Sequence, residues 1–244
     1  MTVFVLVAGA WHGAWCWERI TPALVAQGHT VIAPDLLGMG DDPTPIKEAS
    51  IGRWADQVAD IVREQPEPVI LVGHSRGGVV ISEVAERVPD NIARLVYLTA
   101  FLVPSGLTLL DMVDAVPVDG HLAPLVGHPN GTTTIMPERL AAHFYNNTPA
   151  EWIERAREKA CAEPDSSFTT PLALTEERYG RVPRAYIRCQ KDQAIVPALQ
   201  AHMLGLLPCH PVLEIDTDHS PFFSAPDTLV GQLDDIARIH VARA

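Results

Sequence analysis

The sequence predicts an α/β fold built on a mainly parallel, six-stranded sheet that is covered by helices on both faces. Three observations support this class. Six short apolar runs recur along the chain, stretches of helical length separate most of them, and the runs are almost continuously hydrophobic. A parallel strand that is buried on both faces needs such a continuous run. Strand and helix in succession therefore indicate a doubly wound sheet.

The predicted strands are rich in β-branched residues, which favour extended backbone. They cover residues 2–9, 29–36, 68–74, 92–100, 184–189 and 211–216. The predicted helices cover residues 14–27, 50–65, 77–88, 197–207 and 225–242. In the second helix, apolar residues such as Trp54 and Val58 recur at spacings of three and four, with Asp56 and Asp60 opposite. This spacing is typical of a helix that packs one face on a sheet.

The alternation stops between the fourth and fifth strands, where the chain becomes rich in Pro, Gly, His and Asn. Only short helical patterns occur there, most clearly at 137–147 and 149–162. An insertion at the carboxyl ends of parallel strands lies where ligands bind in open α/β sheets, and so where a lid is expected. We predict a single domain, with a core of residues 1–103 and 184–244 and a helical lid of residues 104–183.

Composition limits the classes of function. Hydrophobic residues make up 47% and charged residues 20% of the 244 positions, as in ordinary globular proteins. The formal net charge of -12, without a cluster of Lys and Arg, argues against nucleic acid as a partner.

The N-terminal apolar run is too short to span a bilayer and has no basic residues before it. We therefore expect a cytoplasmic protein without membrane association. Cys16, Cys161, Cys189 and Cys209 show neither metal-ligand spacing nor a disulfide pattern. We expect no metal and no cofactor, and the sequence leaves open whether the chain forms a homodimer.

Ser75 occupies the centre of a G-x-S-x-G pattern, residues 73–77, between the third strand and the third predicted helix. That strand-turn-helix setting is the one in which this pattern carries a nucleophilic serine. Gly73 and Gly77 leave room for a sharp turn, and the amide of Arg76 lies at the helix N-terminus, where it can donate to an oxyanion. The alternative is a serine that only caps the helix.

A serine hydroxyl needs a base and an orienting carboxylate to become nucleophilic at neutral pH. His219 follows the last strand, so it lies at the same edge of the sheet as Ser75. Asp192 follows the fifth strand, and the order Ser75, Asp192, His219 is the one that α/β-hydrolases show. Asp216 and Asp218 are too close to His219 in sequence to face its ring easily.

The second oxyanion donor is expected in the glycine-containing loop after the first strand, residues 7–15. The amide of Ala10 is the candidate by position. The alternative is a simple glycine turn.

At this point the sequence resembles the α/β-hydrolase superfamily, and within it the branch of plant methyl esterases, hydroxynitrile lyases and their bacterial esterase relatives. The resemblance is carried by LVAGAWHGAWCWERITPAL, GHTVIAPDLLGMG, LVGHSRGG, AFLVPSG, RYGRVPRAYIRCQKDQAI and the final DH. It spans nearly the whole chain and is weakest in the lid. Some bacterial members hydrolyse pyrethroids, which are esters of bulky hydrophobic alcohols.

Two departures from this branch are visible. Members often carry His-Gly where this chain has Ala8-Gly9, and the hydroxynitrile lyases carry a lysine directly after the triad histidine, where Ser220 stands here. The resemblance therefore implies a carboxylesterase more than a lyase. A lyase that uses His219 as base, and a ligand-binding homologue with little turnover, remain the alternatives.

The substrate is expected to be a neutral, hydrophobic ester, either a methyl ester or an ester of a bulky alcohol. No charged cluster suited to an anionic substrate is evident. The residues expected to contact the substrate are apolar or aromatic: Trp11, Phe101, Leu102, Phe144, Tyr145, Trp152 and Phe222.

Overall fold

The computed structural model describes residues 1–116 and 125–241. Its main sheet contains β1 (Val3–Val7), β2 (Thr30–Ile32), β3 (Val69–His74), β4 (Ile92–Leu98), β8 (Arg184–Cys189) and β9 (Val212–Ile215). All pairings in this sheet are parallel, and the spatial order is β2-β1-β3-β4-β8-β9. The predicted parallel α/β fold is confirmed.

The strand order reverses direction between β1 and β3, which are neighbours in the sheet. Leu6 pairs with Val72 and Val7 with Gly73. The loops that follow these two strands therefore leave the sheet side by side. Such a switch point at the carboxyl ends of the strands forms the crevice in which open α/β sheets bind ligands.

Helices cover both faces of the sheet. One face carries α1 (Ile20–Ala26) and α10 (Pro226–Val241), and the other carries α2 (Ile51–Arg63), α3 (Gly77–Arg87) and α8 (Pro197–Leu206). In β1, Val5 and Val7 belong to the apolar cluster on the second face, while Phe4 and Leu6 belong to the cluster on the first. This double burial explains why the strands read as continuous apolar runs.

The sequence pattern of α2 is reproduced in its packing. Trp54 and Val58 are fully buried, and Asp56 and Asp60 are exposed. The helix begins after Ser50, whose side-chain oxygen accepts a hydrogen bond of 3.3 Å from the amide of Arg53. This cap satisfies one of the free amides of the first turn.

The predicted helix over residues 14–27 is two helices. A 3-10 turn spans Ala14–Trp17, and α1 begins only at Ile20. Pro22 gives the physical reason, because proline has no N–H and its ring clashes with the carbonyl four residues earlier, so it is tolerated only in the first turn of a helix.

The insertion between β4 and β8 contains more than the predicted helices. It holds α4 (Leu109–Ala115), α5 (Pro137–Phe144), α6 (Ala150–Lys159) and α7 (Ser166–Thr169), together with a three-stranded antiparallel sheet of β5 (Leu125–His128), β6 (Thr132–Ile135) and β7 (Glu163–Pro164). A short helix, α9 (Pro221–Ser224), follows β9. Residues 117–124 of the predicted lid and 242–244 of the predicted core lie outside the described residues.

The insertion thus contains the predicted helices and, in addition, a small sheet that the sequence analysis did not predict. The strands of this small sheet have only two to four residues, too few for a period to stand out. A usable signal was present, because Asn130-Gly131 separates β5 from β6 and Gly131 has φ +74°. Such a pair between short apolar or β-branched runs is a hairpin signal. Within residues 1–116 and 125–241, none of the helices has the length and apolar character needed to cross a bilayer.

Candidate active site

Ser75 lies in a sharp turn between β3 and α3. Its φ of +53° is in the left-handed region that side chains rarely adopt. The glycines around it permit the turn: a Cβ on Gly73 would lie 2.6 Å from the carbonyl oxygen of Gly77, and a Cβ on Gly77 would lie 2.8 Å from that of Val7. The local backbone is thus the strained elbow that the sequence pattern predicts.

His219 and Asp192 are brought together at the same edge of the sheet. His219 follows β9 and Asp192 follows β8, and the two strands are neighbours. Nδ1 of His219 lies 2.7 Å from Oδ2 of Asp192, and both side chains are buried. An ionised carboxylate only accepts hydrogen bonds, so Nδ1 carries the proton and Nε2 of the neutral ring keeps its lone pair.

Asp192 is held by four hydrogen bonds. Its Oδ1 accepts from the amides of Ala194 at 2.7 Å and Ile195 at 2.8 Å. Its Oδ2 accepts from the Thr99 hydroxyl as well as from His219. Sequence reasoning missed Thr99, although a polar residue directly after the buried strand β4, beside β8, was a signal for it. A fully hydrogen-bonded carboxylate keeps a single orientation.

The His219 loop is anchored to the residue before Ser75. Nε2 of His74 donates to the carbonyl oxygen of His219 at 2.8 Å, and the two rings are 4.6 Å apart. Phe144 lies 5.6 Å from the His219 ring and lines the same cavity as Ser75. The structure therefore brings Ser75, His219 and Asp192 to one region.

Two further buried histidines, His12 and His74, flank this region. Burial lowers the pKa of His12 to about 4 and that of His74 well below its usual value, and the nearby His219 and Arg76 lower both further. Both rings are thus neutral at pH 7. In the described part of the chain, His219 is the one among these three that has a carboxylate partner.

The proposed oxyanion loop lies against the elbow. A Cβ on Gly9 would lie 2.8 Å from both Ser75 Cβ and His74 Nδ1, so only glycine allows the two loops to approach this closely. Ala10 and Arg76 line the cavity together with Ser75. Arg76 directly precedes α3, where the helix dipole favours negative charge.

The cavity in front of Ser75 has a volume of about 220 Å³ and mostly apolar walls. Of the residues expected to contact the substrate, Trp11, Phe101 and Phe144 line it. The wall is completed by residues from the insertion and from the region of Asp192, among them Leu109, Val113, Phe168 and Ile195. Besides Ser75 and Arg76, the polar residues at this wall are Thr133, His143, Asp165 and Thr169.

Leu102 and Tyr145 are not among the described residues that line this cavity. Leu102 is fully buried in the core, and its amide faces the sulfur of Met203 at 3.3 Å. Tyr145 is also buried, and its hydroxyl is hydrogen-bonded to Nε2 of His12. Both residues pack behind the wall.

Trp152 and Phe222 likewise lie elsewhere. The Trp152 ring stacks on Phe223 with 4.7 Å between centroids. Phe222 is fully buried and meets the edge of His74 at 5.0 Å. The sequence predicts that both rings contact the substrate. In the structure they pack around the loop that carries His219.

Asp218, next to His219, joins this loop to the insertion. Its Oδ2 accepts from the amide of Asn147 at 2.7 Å and from the hydroxyl of Thr148 at 2.8 Å. Its Oδ1 accepts from the amide of Ser220 at 3.0 Å and the hydroxyl of Ser224 at 2.7 Å. The acid is therefore satisfied by groups other than the His219 ring. Across residues 1–116 and 125–241, no three His, Cys, Asp or Glu side chains converge as a metal site would require.

Comparison with known proteins gives consistent results. Residues 4–232 match the alpha/beta hydrolase family. Methylesterase 7 of Arabidopsis thaliana is 32% identical over 96% of this chain and 95% of its own length. An alpha-hydroxynitrile lyase of the same plant is 35% identical over 96% of both chains. Among solved structures, a pyrethroid hydrolase from Sphingobium faniae superposes with a TM-score of 0.86 at 29% identity, over 97% of both chains.

Proposed function

Because the chain belongs to the alpha/beta hydrolase family, we propose that it is a carboxylesterase with Ser75 as nucleophile, His219 as base and Asp192 as the carboxylate that orients the base. The main support is the 2.7 Å hydrogen bond between His219 and Asp192 at the sheet edge where Ser75 occupies its strained turn. Relatives named methylesterases support ester hydrolysis as the reaction class.

In the proposed reaction, Nε2 of His219 takes the Ser75 proton while Oγ attacks the ester carbonyl. The amides of Ala10 and Arg76 donate to the tetrahedral oxyanion. His219 then gives its proton to the leaving alcohol, and the acyl-serine is hydrolysed by water along the same path. Asp192 fixes the tautomer of His219 and stabilises its charged form.

The cavity supports a neutral, hydrophobic substrate. Its wall is mostly apolar, and at about 220 Å³ it is smaller than the roughly 300–1,000 Å³ typical of sites for drug-sized ligands. A small ester, or one arm of a larger ester, fits this volume. We therefore expect methyl esters and esters with one compact apolar arm to be hydrolysed, with the other arm outside the cavity.

A lyase function has less support, in spite of the related hydroxynitrile lyase. Ser220 stands where lyases of this branch carry a lysine, it is fully buried, and its amide is bonded to Asp218. It supplies no positive charge for a leaving cyanide. Release of cyanide from mandelonitrile at a rate comparable to ester hydrolysis would favour the lyase.

The decisive experiment compares the wild type with Ser75→Ala on p-nitrophenyl esters of graded acyl length. We expect steady multiple turnover by the wild type and a loss in kcat of about 10⁴-fold or more in the variant. Ser105→Ala, at an exposed serine of the insertion, is the matched control and should keep the wild-type rate. A Ser75→Ala variant with wild-type turnover would refute the proposal, and a wild-type burst without turnover would identify a ligand-binding homologue.

A further inference from the structure

A buried ion pair crosses from the elbow to the insertion. Nε of Arg76 lies 2.8 Å from Oε1 of Glu163, and Nη2 lies 3.2 Å from Oε2. The two side chains are 1% and 0% exposed. Glu163 belongs to β7 of the insertion, whereas Arg76 directly follows Ser75. The pair therefore joins the insertion to the turn that carries the proposed nucleophile.

The same pair holds the loop on both sides of Ala10. Nη2 of Arg76 donates to the carbonyl oxygen of Gly9 at 3.1 Å, and Oε2 of Glu163 accepts from the amide of Trp11 at 3.3 Å. Ala10, between these two contacts, is one proposed oxyanion donor, and Arg76 is the other. One ion pair is thus bonded to the residues on both sides of Ala10 and includes the side chain of Arg76.

Trp11 shows that the loop needs this support. Its φ of +61° is unfavourable for a bulky side chain. The conformation is kept by contacts with the insertion: Glu163 accepts from the Trp11 amide, the amide of Cys161 donates to the Trp11 carbonyl oxygen at 3.0 Å, and the indole Nε1 donates to the Thr133 hydroxyl at 3.3 Å. Without them the backbone would relax, and the adjacent amide of Ala10 would turn with it.

A gain in folding stability does not explain why two charged side chains are buried here. Taking both ions out of water costs about as much as their attraction returns, and apolar pairs of similar volume often fold as well or better. Within the described residues, Nη1 of Arg76 has no hydrogen-bond partner, and the guanidinium lies 4.3 Å from the Trp54 ring centre. What the ion pair supplies, and an apolar pair would not, is a set of directed hydrogen bonds to Gly9 and Trp11.

We propose that Glu163 and the guanidinium of Arg76 are positioning residues that hold the Ala10 and Arg76 amides in the geometry of an oxyanion hole. The inference rests on the proposed esterase function. It makes the oxyanion hole a joint product of the core and the insertion. Neither side chain touches the reacting atoms; they act through the backbone of residues 9–11 and of Arg76 itself.

The first test is Glu163→Gln. An amide has one acceptor oxygen where the carboxylate has two, so its NH2 group would face either Nε of Arg76 or both Nη2 of Arg76 and the Trp11 amide. We expect kcat to fall about 10- to 100-fold with little change in KM, because the lost interaction acts in the transition state. The affinity for a trifluoromethyl ketone, which forms a tetrahedral adduct with the serine, should fall by the same factor.

Rates are expressed per active site, titrated to completion with a fluorophosphonate, so that misfolded protein does not lower them. Glu83→Gln is the matched control, because Glu83 also pairs with an arginine, Arg87, and also bonds the insertion at the amide of Ala173, 3.1 Å away. We expect its kcat per site to equal that of the wild type. Equal kcat per site in Glu163→Gln would overturn the proposal.

A double variant, Arg76→Met with Glu163→Leu, separates positioning from charge balance. It keeps the Arg76 backbone amide and removes both buried charges, so it should fold at least as well as Glu163→Gln. We expect its kcat to stay low; recovery of the wild-type kcat would show that only charge balance matters and would overturn the inference. Absence of Ser75-dependent activity in the wild type would instead refute the proposed function.

Discussion

His12 should make the protein lose stability in mild acid. Its Nδ1 donates to the carbonyl oxygen of Ala10 at 2.6 Å, which leaves Nε2 of the neutral ring to accept from the Tyr145 hydroxyl. A second proton on the ring would remove that acceptor and bury a charge. Burial accordingly lowers the pKa of His12 from 6.5 to about 4.

The direction and the size of this loss of stability follow from proton linkage. Because the pKa is lower in the folded state, the unfolded chain binds the proton first, and the folded state is disfavoured as the pH falls below 6.5. The loss grows down to about pH 4 and is then constant. Between pH 7 and pH 5 the two pKa values give a loss of about 2 kcal/mol from His12 alone.

Urea unfolding followed by tryptophan fluorescence at pH 7 and pH 5 measures this effect. His12→Gln should be less stable than the wild type at pH 7, yet lose about 2 kcal/mol less between the two pH values. His128→Gln, at an exposed position on β5, is the control and should keep the wild-type pH dependence. If His12→Gln also keeps the wild-type pH dependence of stability, the His12 ring does not titrate as its burial requires.

Two further predictions concern the reaction. Asp192→Asn should lower kcat by about 10⁴-fold while the fold is kept, because the tautomer of His219 is no longer fixed; steady-state kinetics with circular dichroism test this, and a loss below tenfold contradicts it. Gly9→Ala should lower kcat at least about tenfold, because the added carbon lies 2.8 Å from Ser75 Cβ. Gly205→Ala, whose added carbon meets no atom of residues 1–116 and 125–241 within 4 Å, should keep full activity. Equal rates for Gly9→Ala and Gly205→Ala would contradict the reasoning.

Most of the core could be predicted from the sequence because its signals are local. Continuous apolar runs report burial on both faces, and a G-x-S-x-G pattern between strand and helix reports the turn at Ser75. His219 and Asp192 could be chosen because chain topology alone brings the ends of β8 and β9 together. The roles of these side chains in catalysis stay predictions.

The contacts that the sequence did not predict are long-range. The guanidinium of Arg76 reaches Glu163, 87 residues away, and no local pattern reports such a pair. Leu102 and Tyr145 were expected at the cavity wall because apolar and aromatic types suit both a wall and the core behind it. Which of the two a residue joins depends on the path of the insertion, whose short strands carry little periodicity.

The contacts of Asp218 have a consequence for enzyme engineering. A chimaera that exchanges the insertion between relatives treats the scaffold beneath it as independent. Here the segment at Asn147 and Thr148 is bonded to the residue next to His219. A graft that lacks these partners would leave Oδ2 of the buried Asp218 carboxylate without its two donors, beside the proposed general base. Successful exchange should therefore require the donor segment to bring its own amide and hydroxyl at these two positions.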